Sequence, residues 1–186
     1  MNRVYFLTGN VNKVKEASVI LREYGIKVMK LSGIKKLEIQ ADSLEEIALT
    51  AARHVKNIVE NPVIIEDDGI FIEALNGFPG PYSAYVYKKI GLPGILKLLT
   101  GIENRKAYFK SVIAYVDPRG NIELFTGVVY GVISYSIRGV RGFGYDPIFI
   151  PEGFSRTFAE LTIREKCKIS HRARALNKFA KWFKNR

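Results

Sequence analysis

The chain is 186 residues long, 47% hydrophobic and 12% aromatic, which excludes a disordered polypeptide and suits one domain with a substantial core. No stretch approaches the roughly 18 apolar residues that cross a bilayer, the opening "MNRVYFLTGN" lacks a leader-type apolar run, and the single cysteine, Cys167, excludes an internal disulfide and a cysteine zinc cage; a cytoplasmic location with no membrane partner is expected. The formal charge is +11, and nine Lys or Arg against the lone acid Glu165 lie between Arg164 and Arg186, a bias that suits a polyanionic partner, nucleic acid or nucleotide, or merely a solvated helix face.

In chain order, "RVYFLT" reads as a first strand, followed by a helix from about Asn12 to Tyr24. Its apolar positions Val14, Ala17, Leu21 and Tyr24 keep helical spacing, and Gly25 stands where a C-terminal cap belongs. "IKVMKL" is a second short strand. Residues 43 to 60 form the clearest helix, with Ser43 and Glu46 as a capping box and a stripe of Leu44, Ile47, Ala48, Ala51, Val55, Ile58 and Val59. "VIIEDDGIFIE" at 63 to 73 reads as a strand buried on both faces. Glu66, Asp67 and Asp68 interrupt it, and three adjacent carboxylates there require something cationic beside them. "GFPGPYSAYVYKKIG" turns into a short aromatic helix, and "GILKLL" is a second helical piece. "AYFKSVIAYVD" and "IELFTGVVYGVISY" are two long strands joined at "PRGN". A Gly-rich loop, "RGVRGFGYDP", leads to helical material with capping boxes at Thr157/Glu160 and Thr162/Glu165. A final helix, capped by Ser170, carries a stripe of Leu176, Phe179, Ala180 and Phe183. Helices flank strands at both ends of a β-rich block, so the expected fold is mixed α/β around one central sheet.

Three segments carry candidate chemistry. "TGNVNK", residues 8 to 13, sits where a strand turns into a helix N-terminus, a natural phosphate site. It lacks the GxxxxGK of a P-loop. Lys13, as an exposed first-turn residue, is expected to matter little to folding. Gly139 to Pro147 follows a pattern opposite to the dinucleotide fingerprint, which excludes a Rossmann site; Phe143 and Tyr145 suit stacking on a flat ring or a place in the core. In "KCKISHR", His171 and Arg172 fall in the first helical turn, where cations oppose the helix dipole. A local structural reason for them is lacking, which favours an anionic or carbonyl-bearing ligand. His54 lies on the polar side of its helix and receives no role. Carboxylates without His or Cys partners select Mg²⁺ or Mn²⁺, and no Ser or Cys stands paired with a base, so water is the expected attacker. The sum is a metal-dependent enzyme acting on a nucleotide polyphosphate. A basic nucleic-acid-binding protein is the contrasting class, although the aromatics follow no RNP-type stacking pattern.

"TGNVNK", "EIQ" at 38 to 40, "IEDDG", "GFPGPYSA", "GFGYDPIF", "FAELT" and "EKCKISHR" stand in the order found in the inosine triphosphate pyrophosphatases, and over residues 8 to 172 the chain resembles that family. The resemblance implies an elongated two-lobed α/β fold spanning residues 1–186 as one domain, with a central nucleotide-binding cleft and usually a homodimer. It implies Mg²⁺-dependent hydrolysis of ITP, dITP and XTP to the monophosphate and pyrophosphate, with Mn²⁺ as a substitute and no specific nucleic-acid partner. By position, Thr8, Gly9, Asn10, Val11, Asn12 and Lys13 would contact the triphosphate. Glu38 and Asp67 would hold the metal with Glu66 nearby, and Asp67 would be the general base. Asp68 would touch substrate, although the family usually has Ser or Thr there, a departure that adds negative charge beside phosphates. Phe143, Gly144, Tyr145, Asp146, His171 and Arg172 would recognise the base, and Lys166 would contact phosphate or base. A related pyrophosphatase for modified pyrimidine nucleotides is the nearest alternative.

Overall fold

The computed structural model describes residues 2–186. Its frame is a seven-stranded mixed sheet. Strand β1 (Asn2–Leu7) lies parallel between β2 (Ile26–Lys30) and β3 (Val63–Ile72). The other pairings are antiparallel: β3 with β4 (Pro79–Gly80) and β5 (Lys106–Val116), β5 with β6 (Ile122–Ile133), and β6 with β7 (Phe149–Pro151). The mixed α/β fold with flanking helices is therefore borne out.

Each helix forms where the sequence places an apolar stripe and a cap. Helix α1 (Val11–Arg22) is capped by Asn10, whose side chain accepts from the Asn12 amide, and α2 (Leu44–Val55) by Ser43. Helix α2 is shorter than its predicted span. The chain turns after Val55, leaving Ile58 exposed rather than in the stripe. Helix α3 (Ser83–Leu98) consists of two pieces, as expected, because Gly91 leaves helical geometry at φ 60° and ψ −168°. Helices α4 (Ile163–Ile169) and α5 (His171–Lys184) meet at Ser170, which caps the second by accepting from the Ala173 amide.

The sheet is covered differently at its two ends. Around the β1 end of β3 and β5, helices α1 and α5 pack on one face over Phe6, Ile64, Ile113 and Tyr115. Helix α2 packs on the other face over Val63, Ile65, Val112 and Ala114. Strict alternation along both strands divides these residues between the faces. At the far end Ile70, Ile72 and Phe109 join α3, Phe149 and Phe158 in a separate core. Glu66, Asp67 and Asp68 fall between these apolar clusters, midway along β3.

Candidate active site

Alternation along β3 decides what each of the three acids meets. Glu66 and Asp68 share the face covered by α1 and α5, whereas Asp67 points to the face that carries α2. Gly69 is required next to them: a Cβ there would stand 2.3 Å from the Gly80 carbonyl oxygen of β4. That close approach lets Ser83 tie the strands together, its hydroxyl accepting from the Ile70 amide at 2.9 Å and donating to the Gly80 carbonyl at 2.6 Å. A second glycine brings the other half of the site. A Cβ on Gly127 of β6 would lie 2.2 Å from the His171 carbonyl, so only glycine lets the first turn of α5 settle on the sheet.

That first turn delivers Arg172 into the sheet face, fully buried. Its Nε donates to Glu66 Oε2 at 2.9 Å and its Nη2 to Asp68 Oδ2 at 2.8 Å, while Nη1 donates to Glu16 of α1. Ser111 Oγ donates to the other Glu66 oxygen at 2.6 Å. Lys13, one turn before Glu16, pairs with Asp68 and lies 3.6 Å from Glu66. Lys166 bridges Glu16 at 2.7 Å and Asp146 at 2.6 Å, and Asp146 also accepts from the Phe143 amide at 2.9 Å. Two expectations change here. Arg172 does have a structural reason for its place, because three carboxylates hold it against the helix dipole. Lys13 is not an exposed first-turn residue; its side chain is 14% exposed and sits in that same network.

The electrostatics follow from burial working against close partners. Burial would push Asp68 up, but Lys13 and Arg172 hold its carboxyl well below the usual range. Burial would lower Lys13 and Lys166, yet their carboxylate neighbours keep both above the ordinary lysine value. Asp146 goes the other way, raised by burial despite Lys166. Cys167, buried beside Glu16, is pushed up to about 12 and is no nucleophile at neutral pH.

In front of this network lies a cavity of about 320 Å³ that reaches Asn10, Lys13, Asp68, Phe143, Tyr145 and His171, within the size range of small-molecule sites. Phe143 sits over Lys166 and Arg172, with 4.8 and 5.4 Å between the cations and its ring centroid. Gly144 lines the same wall with a φ of 60°. Tyr145 is buried, and its hydroxyl donates to the Ser83 carbonyl at 2.9 Å. His171 stacks on Phe109 at 4.6 Å between centroids and is 2% exposed. Both of its ring nitrogens lack a hydrogen-bond partner, and among the described residues they are the only buried side-chain N or O atoms so placed. Nε2 lies 3.6 Å from Asp68. Burial lowers the imidazole's pKa, opposed in part by Asp68, so the ring is neutral near pH 7.

On the opposite face, Lys36 donates to Asp67 Oδ2 at 2.5 Å and to the Glu66 carbonyl at 3.2 Å. Burial raises the Asp67 pKa, offset in part by Lys36. Lys36, Glu38, Thr8, Gly9 and His54 line a second cavity of about 840 Å³. The junction from Thr8 to Lys13 thus spans both cavities, with Val11 and Asn12 opening α1. The expected metal trio is not assembled: among the described residues no three His, Cys, Asp or Glu side chains converge to hold an ion. Glu66 faces away from Asp67 by the alternation of β3, and its oxygens are taken by Arg172 and Ser111. Asp67, reached by the cavity-lining Lys36, and Glu38 in the cavity wall are the carboxylates that would hold Mg²⁺, which commonly takes one or two carboxylates together with substrate phosphates rather than an all-protein cage. Lys36 on Asp67 shows that this carboxylate faces a place for positive charge.

Three residues of the site carry little or no sequence signal. Glu16 offers one, an acid on the buried side of α1 between Val14 and Ala17. Ser83 stands inside a turn motif but looks like any helix-start serine. Lys36 has no distinguishing pattern in its loop.

With this geometry in place, the comparisons with known proteins are specific. A family model described as the Ham1 family matches residues 4–182. The chain is 58% identical to the dITP/XTP pyrophosphatase of Methanopyrus kandleri over 98% of this chain and 97% of that protein. It is 56% identical to the dITP/XTP pyrophosphatase of Thermococcus kodakarensis, with the same two coverages. The fold is similar to the structure of the Staphylococcus aureus Ham1 protein, with a TM-score of 0.84 and 28% identity over 99% of each chain.

Proposed function

The chain belongs to the Ham1 family, and from that premise we propose that it hydrolyses dITP, ITP and XTP to the monophosphate and pyrophosphate, removing non-standard purines from the nucleotide pool. The observation that carries this reading is His171, whose two buried nitrogens make no hydrogen bond within the chain, Nε2 standing 3.6 Å from Asp68. A buried polar atom without a partner costs about 1–3 kcal/mol, so a ligand that supplies one is favoured in that cavity. A neutral imidazole has one N–H to give. The 6-oxo group of hypoxanthine or xanthine accepts it, whereas the 6-amino group of adenine presents another donor. A site built on such a bond rejects the mismatched base by up to ~10⁴-fold.

The other residues take their roles from position. Phe143 stacks on the ring, and Tyr145 with Gly144 closes the wall behind it. Arg172 and Asp146 hold the pocket's shape, since their polar atoms are committed to Glu16, Glu66, Asp68 and Lys166. Lys13 and the first-turn amides of α1 other than that of Asn12, which Asn10 already caps, receive the phosphates. Asp67 takes the proton from the attacking water, its basicity favoured by burial. Mg²⁺ held by Glu38 and Asp67 would neutralise phosphate charge.

The protein acts in the cytoplasm; among the described residues no helix is long and apolar enough to cross a membrane. It works as a homodimer, for which exposed Tyr130, Val132 and Phe154 around an aromatic groove offer a face; light scattering tests this. The function is tested by kcat/KM for dITP, XTP and dATP. A preference of ~100-fold or more for the two oxo-purines is expected, and equal rates would reject the reading.

A further inference from the structure

Around Arg172, four carboxylates meet three cations. Glu16, Glu66 and Asp146 match the largely buried cations Lys13, Lys166 and Arg172 in number, which leaves Asp68 as the acid without such a cation of its own when His171 is neutral; the further cation lining the cavity, Lys88, is exposed. Asp68 is also the acid placed differently. The side chains of Glu16, Glu66 and Asp146 are at most 5% exposed, whereas Asp68 is 16% exposed and stands at the cavity wall. One of its oxygens is on Lys13 and the other lies 2.8 Å from Arg172. Arg172 keeps two further carboxylates without it, but Lys13 would keep only the 3.6 Å contact to Glu66.

We propose that Asp68 competes with the substrate's phosphates for Lys13, and so weakens the hold on the triphosphate. The inference rests on the functional reading above for the identity of the ligand. A phosphate oxygen that takes the Lys13 ammonium must displace the Asp68 oxygen already there, and it then meets that carboxylate's charge at the cavity wall. That cost falls on the bound substrate and the transition state alike. It therefore raises KM rather than slowing the chemical step. Asp68 acts through Lys13 and is a positioning residue that sets affinity.

The test uses Asp68→Asn, which keeps shape and removes the charge, with Asp68→Ser as a second neutral variant and Asp68→Glu as the charge-retaining control. Calorimetry with inorganic tripolyphosphate reads binding alone, and steady-state kinetics with dITP reads the split between KM and kcat. Both neutral variants should bind tripolyphosphate about tenfold more tightly, the scale of one charge-assisted hydrogen bond released. KM for dITP should fall to match, while Asp68→Glu, which keeps the charge, should show no gain in tripolyphosphate affinity. Unchanged or weaker tripolyphosphate binding by the folded neutral variants would overturn the proposal. A parent protein that binds tripolyphosphate but leaves dITP intact would instead overturn the functional reading, and the two failures are thus separate.

Discussion

Replacing Arg172 with Met keeps the aliphatic stem of the side chain and removes the guanidinium with its charge, which tests what that group does for the fold. Arg172 is fully buried, and its partner Glu66 has no exposed side-chain surface, so solvent does not screen that pair. Removing one partner of a buried pair costs about 3–5 kcal/mol because the other charge is left uncompensated. Here Glu66 retains Ser111 and a 3.6 Å contact to Lys13, and Glu16 retains Lys166, which places the expected cost near the lower end, about 3–4 kcal/mol. For a domain of this size each kcal/mol moves Tm by roughly 2–4 °C, so Arg172→Met should melt on the order of 6–16 °C lower. Urea unfolding should show the same loss with an unchanged m-value. Adding Glu66→Gln neutralises the carboxylate most deeply buried, and the double variant should recover part of the loss through their coupling. A Tm within about 2 °C of the parent, or a double variant no better than the single one, would refute a central structural role for this pair.

Asp67→Asn removes the proposed general base without changing shape and should lower kcat at least ~100-fold with saturating Mg²⁺; a variant that keeps most of its kcat would remove Asp67 from that role. Phe143→Ala should weaken dITP and dATP alike, since stacking is shared by every purine; a changed ratio of their kcat/KM values would show that the ring selects the base. The Glu16 carboxyl, which burial would raise, is held below its ordinary value of 4.5 by Arg172 and Lys166. Its folded-state pKa is depressed, so its contribution to stability is present above pH 4.5 and is lost as pH falls through the folded value. Asp146, raised by burial, works in the opposite sense. A Glu16→Gln variant should therefore show a flatter fall of Tm below about pH 4.5, and an unchanged slope would mean Glu16 is not linked to folding.

The order and type of the elements were legible because periodicity and caps are local. The helix spacing of α1 and α5, the capping boxes at Thr157 and Thr162, and the paired strands around "PRGN" all follow from neighbours in sequence. What was not legible is set by the third dimension. Glu66, Asp67 and Asp68 read as one acidic group, but alternation sends them to opposite faces of the sheet and gives each face a different cation. Arg172 reads as a cation without a partner because Glu16, 156 residues away in sequence, shows its role only once α1 and α5 lie side by side. Lys36 belongs to an irregular loop with no period from which to infer its direction. The two glycines that matter most, Gly69 and Gly127, look like ordinary strand interruptions until the groups they admit are known.

The central claim is that water cleaves the anhydride between the α- and β-phosphates of a purine nucleotide whose 6-oxo group is read by His171. Single-turnover reaction of dITP with excess enzyme and Mg²⁺, followed by ³¹P NMR, tests the site of cleavage directly. The account predicts dIMP and pyrophosphate in equal amounts, with neither dIDP nor orthophosphate formed. Release of dIDP and orthophosphate would contradict it.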